Sequence, residues 1–323
     1  MRNIDQVINQ LLQSLADLES GRKDYISRRS RYLVLLIGPV ALLIFVALTS
    51  SQKIPWFIGA GAWFVIGTII YQVRVASLGH EYIRHYKKTV IPALLSAIDP
   101  NLVYNPIGGI SSSTFVDTEL YTTHPDRYST EDLIQGNYGK TFLQLAEIDA
   151  EERRSRTDSD GRRETYYVTI FNGLFLIADF HKHFHGRTFI LPDNSEKSFG
   201  GVARFFQKMG GRRETNLIRL EDPEFENAFA VYATDEVEAR YILSTAMLQR
   251  VLDMRNRFGK DVRLAFKESC LILAVPHAKP FLEPKTSMPA TDQTQLREML
   301  KELQLILDTI EELDLNTRIW SKH

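Results

Sequence analysis

The chain has a single cysteine, Cys270, in 323 residues. That excludes an internal disulfide and any multi-cysteine metal site. In the apolar run "CLILAV" the thiol reads as a small buried hydrophobe rather than a nucleophile. An excess of either charge is also missing. The 39 lysines and arginines are offset by 40 acidic residues, so no overall field attracts nucleic acid. There is no Walker loop, no GxGxxG opening a helix, no GxSxG and no HExxH, which removes the familiar nucleotide, hydrolase and zincin signatures. The most informative absence is local. "YLVLLIGPVALLIFVALTSSQ", Tyr32 to Gln52, and "IPWFIGAGAWFVIGTIIYQV", Ile54 to Val73, contain no charged residue.

Each run is about 20 residues, the length a helix needs to cross the hydrocarbon of a bilayer. Two such runs in succession predict a transmembrane hairpin over 32–73. The first run starts too late, and without a small-residue cleavage site, to be a cleaved signal peptide. Arg22, Lys23, Arg28, Arg29 and Arg31 precede the hairpin, and Arg74, Arg84, Lys87 and Lys88 follow it, whereas the connecting loop carries Lys53 alone. The positive-inside rule then places both termini, and everything after the hairpin, in the cytoplasm. The lone cysteine suits that compartment. Pro39 predicts a kink in the first span, and Gly59 to Ala62 a close helix contact in the second. Neither span has an ionisable residue, so no proton relay or ion site is expected inside the membrane.

The flanks are amphipathic. Ile4, Ile8, Leu11, Leu15 and Leu18 repeat at 3–4 spacing, as do Leu296, Met299, Leu303, Ile306, Ile310 and Leu313. Each is a heptad-like seam that packs on its own domain or forms a coiled coil, within one chain or between copies. The second span should continue as helix through 74–98, with Pro92 breaking or offsetting it. The expected division is an amphipathic helix and basic flank over 1–31 and the hairpin over 32–73. A juxtamembrane helix over 74–98 and an α+β domain over 99–285 follow. A linker with a terminal helix completes the chain over 286–323.

The expected fold class is α+β, with a β-rich centre flanked by amphipathic helices and no βαβ regularity. A short helix is expected at "STEDLIQG", 129–136, capped by Ser129 or Thr130. Two β-rich runs around "DSDG", 158–161, predict a hairpin whose tip carries Arg153, Arg154, Arg156, Arg162 and Arg163. "YYVTIF" and "LFLIAD" are apolar on both parities and should be a strand pair covered, at least partly, on both faces. Asp222-Pro223 opens a turn of helix and "AFAVYA" is a strand. Thr234 or Asp235 caps the next helix, with Glu238 placed for a capping box to Asp235. A further helix from Ser244 to Phe258 ends at Gly259, and "VRLAF" and "CLILAV" close as a strand pair.

The one metal-like pattern is "DFHKHFH". His181, His183 and His185 alternate, with Asp179 beside them. Histidines two apart on an extended strand share a face and can share a divalent transition metal, with Asp179 as an extra ligand. The apolar parity (Ala178, Phe180, Phe184) turns those histidines outward, where free imidazoles cost nothing, and no cofactor is expected. "HPD", 124–126, sits in a polar loop without a helical hairpin to present it.

"LLSAIDPNLVYNP", "GLFLIADFHKHFHGRTFILPD" and "LEDPEFENAFAVYATDEVEARYIL" resemble a bacterial two-span membrane-protein family known as domain of unknown function 3137, over about residues 80–280. The resemblance implies the same order of two spans and a cytoplasmic domain, no assigned catalytic residues, and association with LemA-type membrane proteins. The family has Lys or Asn where this chain has its histidines, which turns the reading further from metal. The function expected is a membrane-anchored interaction or assembly protein, a homo-oligomer or the partner of another membrane protein. The alternative is a membrane-tethered metal-dependent hydrolase or metal-handling protein using His181, His183, His185 and Asp179.

Overall fold

The uncharged runs form helices. The computed structural model describes residues 4–51, 54–157, 162–179, 184–193, 215–277 and 281–320, without the side chains of 4–14 and 311–320. Helix α1 (Ile4–Thr49) is a single 46-residue helix through the amphipathic segment, the basic flank and Pro39. Helix α2 (Ile54–Tyr71) passes through a π-helical turn (Gln72–Ala76) into α3 (Ser77–Ile98). Pro92 lies inside α3 and does not break it, so the helix runs on to Ile98, the end of the expected juxtamembrane segment. Val90, Ile91, Leu94 and Leu95 around it are buried, so packing offsets the lost amide bond. Two helical stretches, Leu15–Thr49 and Ile54–Ile98, are long and apolar enough to cross a membrane. Gly67 of α2 packs on α1, since a Cβ there would lie 2.2 Å from Leu36 Cδ1. In the expected small-residue patch only Ala60 is buried, and Cβ atoms on Gly59 or Gly61 would meet nothing.

The chain divides into two compact units. One comprises Met1–Ala97 with Leu282–Leu300, the other Ile98–Phe281 with Lys301–His323. In the first, Arg22 Nη1 donates to the Thr286 carbonyl at 3.1 Å, and Glu19 Oε2 accepts the Ala290 amide at 2.8 Å. Gln295 Nε2 donates to the Tyr86 hydroxyl at 3.1 Å. Leu15, Leu18, Leu296 and Met299 of the two seams are buried. Ile4, Ile8, Leu11 and Leu313 lie outside the described side chains.

The second unit is an antiparallel sheet in the order β1-β2-β3-β4-β9-β8-β5-β7-β6. Its strands are β1 (Leu102–Asn105), β2 (Arg127–Tyr138), β3 (Thr141–Thr157), β4 (Arg163–Asp179), β5 (Arg187–Pro192), β6 (Asn216–Ile218), β7 (Phe229–Ala233), β8 (Arg263–Lys267) and β9 (Cys270–Pro276). Short helices α4 (Ser112–Asp117), α5 (Pro223–Ala228), α6 (Glu236–Ile242) and α7 (Thr245–Phe258) connect strands, and α8 (Gln293–Trp320) ends the chain. The class is α+β, as its alternating runs imply.

Three local expectations are corrected. Residues 129–136 are part of β2, not a capped helix. Pairing with both β1 and β3 overrides the Ser/Thr cap signal, and Gly136 at φ +140° lies against the Asn101 carbonyl where no Cβ would fit. "YYVTIF" and "LFLIAD" are one strand, β4, not two. The segment is buried on both faces only over Gly173–Leu176, and Arg163–Tyr166 are exposed. The hairpin around 158–161 does form, Thr157 pairing with Arg163, although its tip lies outside the described residues. The third correction concerns Glu238. Asp235 caps α6 through the Glu238 amide at 3.0 Å, but the Glu238 carboxylate does not return to complete the box. It is taken by another loop, described below.

The core lies on the sheet under α4. Ser111 caps α4 by accepting the Thr114 amide at 3.0 Å, which directs Phe115 inward. Its ring centroid lies 5.4 Å from Tyr121 and 5.2 Å from Phe175. This cluster fixes the loop after α4, and that loop forms one wall of the cavity considered next.

Candidate functional site

A polar cavity of about 450 Å³ opens in the sheet unit beside α4 and the start of β5. Asp117, Glu119, Tyr121 and His124 come from the α4–β2 loop, Arg187 from β5, and Lys267 and Glu268 from the β8 end. Glu119 links the two walls. Its Oε2 pairs with Arg187 Nη1, and its Oε1 lies 3.3 Å from Lys267 Nζ. Lys267 also donates to the Asp117 carbonyl and lies 3.7 Å from Glu268. Glu119 and Glu268 both hold positive φ, +58° and +53°. That conformation costs a non-glycine residue about 1 kcal/mol or more, and here the ion-pair lattice keeps it in place. Burial pushes the Tyr121 phenol up to about 12, against the Arg263 guanidinium 4.5 Å over its ring. The lysine amine is engaged by oxygens of Asp117, Glu119 and Glu268. The arrangement clamps a loop to a sheet.

Arg187 is aimed by the segment that looked most distinctive in sequence. Asp222 caps α5 by accepting the Glu224 and Phe225 amides at 2.9 and 3.1 Å, and Glu226 accepts the Leu220 amide at 2.9 Å. Phe225 and Phe229 are fully buried with ring centroids 5.3 Å apart. Thr234 Oγ1 then accepts the Arg187 amide at 2.9 Å, and the Thr234 amide donates to the Arg187 carbonyl at 3.0 Å. The Glu238 carboxylate accepts the His185 and Gly186 amides at 2.8 and 2.6 Å. A Cβ on Gly186 would lie 2.4 Å from Glu238 Oε2, so a side chain there would displace the carboxylate from its two amides. "LEDPEFENAFAVYATDEVEA" is thus a scaffold in which Asp222, Glu226, Thr234, Asp235 and Glu238 each accept backbone amides. It fixes the entry to β5 and, through it, Arg187.

Residues 169–315 match the profile of a family described as "Protein of unknown function (DUF3137)". The DUF3137 match starts in β4 and runs into α8, so it begins later and ends further on than the sequence resemblance. It contains the scaffold, Arg187 and Lys267, and it excludes Glu119. No curated protein matches the chain. Among solved structures the chain is similar to the mycobacterial trehalose monomycolate transport factor A, TtfA, at 8% identity and a TM-score of 0.30. The likeness covers 65% of this chain and 88% of that one, and at that score it carries no argument.

The histidine pattern is only partly described. Asp179 is the exposed last residue of β4, and its Oδ1 lies 3.7 Å from Cys270 Sγ. Burial first, then Asp179, pushes the Cys270 thiol up to about 11. His185 is exposed, with its amide held by Glu238, and Phe184 is buried. His181 and His183 lie outside the described residues. Since β4 ends at Asp179 and β5 begins only at Arg187, Asp179 and His185 do not belong to one strand.

Among the described residues, one carboxylate group could hold an ion: Glu131, Asp132 and Glu147, with ligand atoms all within 4.8 Å of one another. The three oxygen donors would suit a hard cation rather than a transition metal. Asp132 is buried at a β-bulge, φ +59°, and accepts the Tyr104 hydroxyl at 2.5 Å. Glu147 accepts the Phe281 amide at 3.0 Å. Those bonds give the carboxylates structural work of their own. Sequence reasoning missed the trio because Glu131 and Glu147 meet only through strand register.

Proposed function

We propose that this is a membrane-anchored interaction or assembly protein: a two-span hairpin in a bacterial inner membrane, with both termini and the α+β unit in the cytoplasm. The observation behind it is the exposure of the spans' apolar side chains, with Val34 at 71% and Ile58 at 67%. Water would not tolerate such a continuous apolar surface, and lipid would. The basic residues on either side of the hairpin set the orientation.

The interaction part rests on the β3–β4 hairpin. Beyond Glu151 no β2 residue pairs with β3, and before Gly173 no β9 residue pairs with β4. The hairpin therefore outruns the sheet as a two-stranded ribbon with an uncharged edge, Thr165–Phe171, rich in aromatic and β-branched residues. Such an edge pairs readily with another strand. The flanking charges cancel, since the five arginines at the tip are matched by Glu151, Glu152, Asp158, Asp160 and Glu164. That argues against anionic lipid as the partner and for a second copy, which neutral ribbons would not repel. A LemA-type membrane protein, suggested by the family resemblance, is the competing partner.

A cytoplasm-active reporter fused after His323 should work and an export-dependent one should not; the reverse pair of results rejects the orientation. Cross-linking of single-cysteine Thr169→Cys protein in membranes, in a Cys270→Ser background, should give a dimer that Val168→Pro abolishes. A monomer in both cases rejects self-assembly through the ribbon.

A further inference from the structure

The floor of the polar cavity beside α4 holds two like charges side by side. Arg187 and Lys267 are directly opposite partners in the antiparallel pairing of β5 with β8. Their side chains therefore share one face of the sheet, where like charges repel. Water screens them poorly, since the two side chains are only 21% and 13% exposed. Among the described residues, Glu119 is the carboxylate paired with both. Glu268 lies 3.7 Å from Lys267, but its side chain is 82% exposed and the contact is screened. Asp117 gives Lys267 its carbonyl and is itself an exposed residue. Two shielded cations thus share one carboxylate, which leaves positive charge in excess at the cavity floor.

This cradle does not depend on Glu119. Thr234 holds the Arg187 backbone in both directions, and Glu238 holds the two amides before it. Lys267 is fixed by the pairing of β8 and by the Asp117 carbonyl. Glu119 instead reaches in from the α4–β2 loop, with its backbone in the left-handed region at φ +58°. That conformation is unfavourable for a residue other than glycine, so release of the carboxylate lets the backbone relax. Its grip on the arginine is also partial. One guanidinium nitrogen donates to it, whereas a freely placed carboxylate can take two from the planar fork. Over the same groups lies about 450 Å³ of cavity, room for a small organic ligand, with Tyr121, Thr122 and His124 on its walls.

We propose that Glu119 is an internal stand-in for a ligand: the cavity binds a small monocarboxylic acid, whose carboxylate replaces that of Glu119 between Arg187 and Lys267. The exchange conserves charge at the floor, and the ligand's remaining atoms fill the space above it. Asp117 and Glu268, the exposed acids of the lining, set the class. They repel a ligand with several negative charges and so favour a single carboxylate over a sulfate, a phosphate or a diacid. The site goes beyond the interaction reading and depends on neither the ribbon nor the membrane hairpin.

The experiment uses the full chain in an uncharged detergent, with sodium propionate as the probe. Calorimetric titration is run against sodium chloride at equal ionic strength, with sodium sulfate as the doubly charged comparison. The parent should bind propionate saturably, and neither chloride nor sulfate as well. Glu119→Gln removes the internal competitor and should bind propionate about tenfold or more tightly, because an occupied cradle lowers apparent affinity by the fraction left open. Glu119→Asp, a milder change with a shorter reach, should shift in the same direction and carries the test if the glutamine variant unfolds. Lys267→Met should lose about tenfold or more, with the near-ultraviolet spectrum of the aromatic cluster showing that the fold is kept. A purely structural Glu119 gives another pattern, lower stability with no gain in binding. The proposal is overturned if the parent does not bind propionate, or if neither Glu119 variant binds it more tightly than the parent. Sulfate binding as well as propionate, or Lys267→Met binding like the parent, overturns it equally.

Discussion

Replacing Glu238 by alanine should be among the most damaging single changes on the surface of the sheet unit. The half-buried carboxylate accepts two backbone amides, His185 at 2.8 Å and Gly186 at 2.6 Å, across more than fifty residues of sequence. Hydrogen bonds to a charged acceptor contribute about 1.5–3 kcal/mol each. The His185 bond is exposed and water replaces part of it, so we expect a loss of about 2–4 kcal/mol in total. For a unit of roughly 200 residues that lowers the thermal midpoint by about 4–16 °C. The measurement is near-ultraviolet circular dichroism of the full chain in detergent, following the aromatic cluster of the sheet. Gly186→Ala should also destabilise, because its Cβ would meet Glu238 Oε2 at 2.4 Å. In the Glu238→Ala background the nearest remaining neighbour is Thr234 Oγ1 at 3.1 Å, so there the glycine substitution should cost much less. That coupling is the specific signature. A midpoint unchanged within 1 °C in Glu238→Ala, or fully additive effects in the double variant, would refute the assignment of Glu238 as the clamp on the β5 entry.

Other expectations are separately measurable. Gly21→Ala should stabilise the helical unit by about 0.5–1 kcal/mol, as a helix-interior glycine with room for a methyl; a destabilised variant would mean that the glycine has a packing role. Cys270 should alkylate slowly at pH 8 and faster as pH approaches about 11, the value to which burial and Asp179 raise it. Because the folded value lies above the ordinary one, the linked stability is fully present below about pH 9 and is lost as pH rises through about 11. Fast modification at pH 7 would falsify the buried-thiol reading. Purified protein should carry less than one equivalent of transition metal, with His181→Ala, His183→Ala and His185→Ala leaving the content unchanged. A stoichiometric metal lost in the triple variant would restore the metal-handling alternative.

The sequence by itself determined what depends on neighbours along the chain. Length without charge makes the two long helices. Asp222, Asp235 and Ser244 each cap a helix because a short polar side chain reaches amides two or three residues on. Short apolar runs rich in β-branched and aromatic residues became β4, β7, β8 and β9 for the same local reason. The tertiary structure decided whatever depends on partners distant in sequence. Residues 129–136 carry a respectable cap signal, and only the presence of β1 and β3 on either side makes them a strand. Pro92 remains in a helix because buried neighbours hold it. Glu238 has the spacing of a capping box, yet two loop amides outcompete the reciprocal bond. The cavity residues Glu119, Arg187 and Lys267 are separated by 68 and 148 positions along the chain, and no local pattern marks them. Caps and periodicity act over a few residues and so can be read from the chain. Register, ion-pair lattices and pockets arise only when folding brings distant segments together.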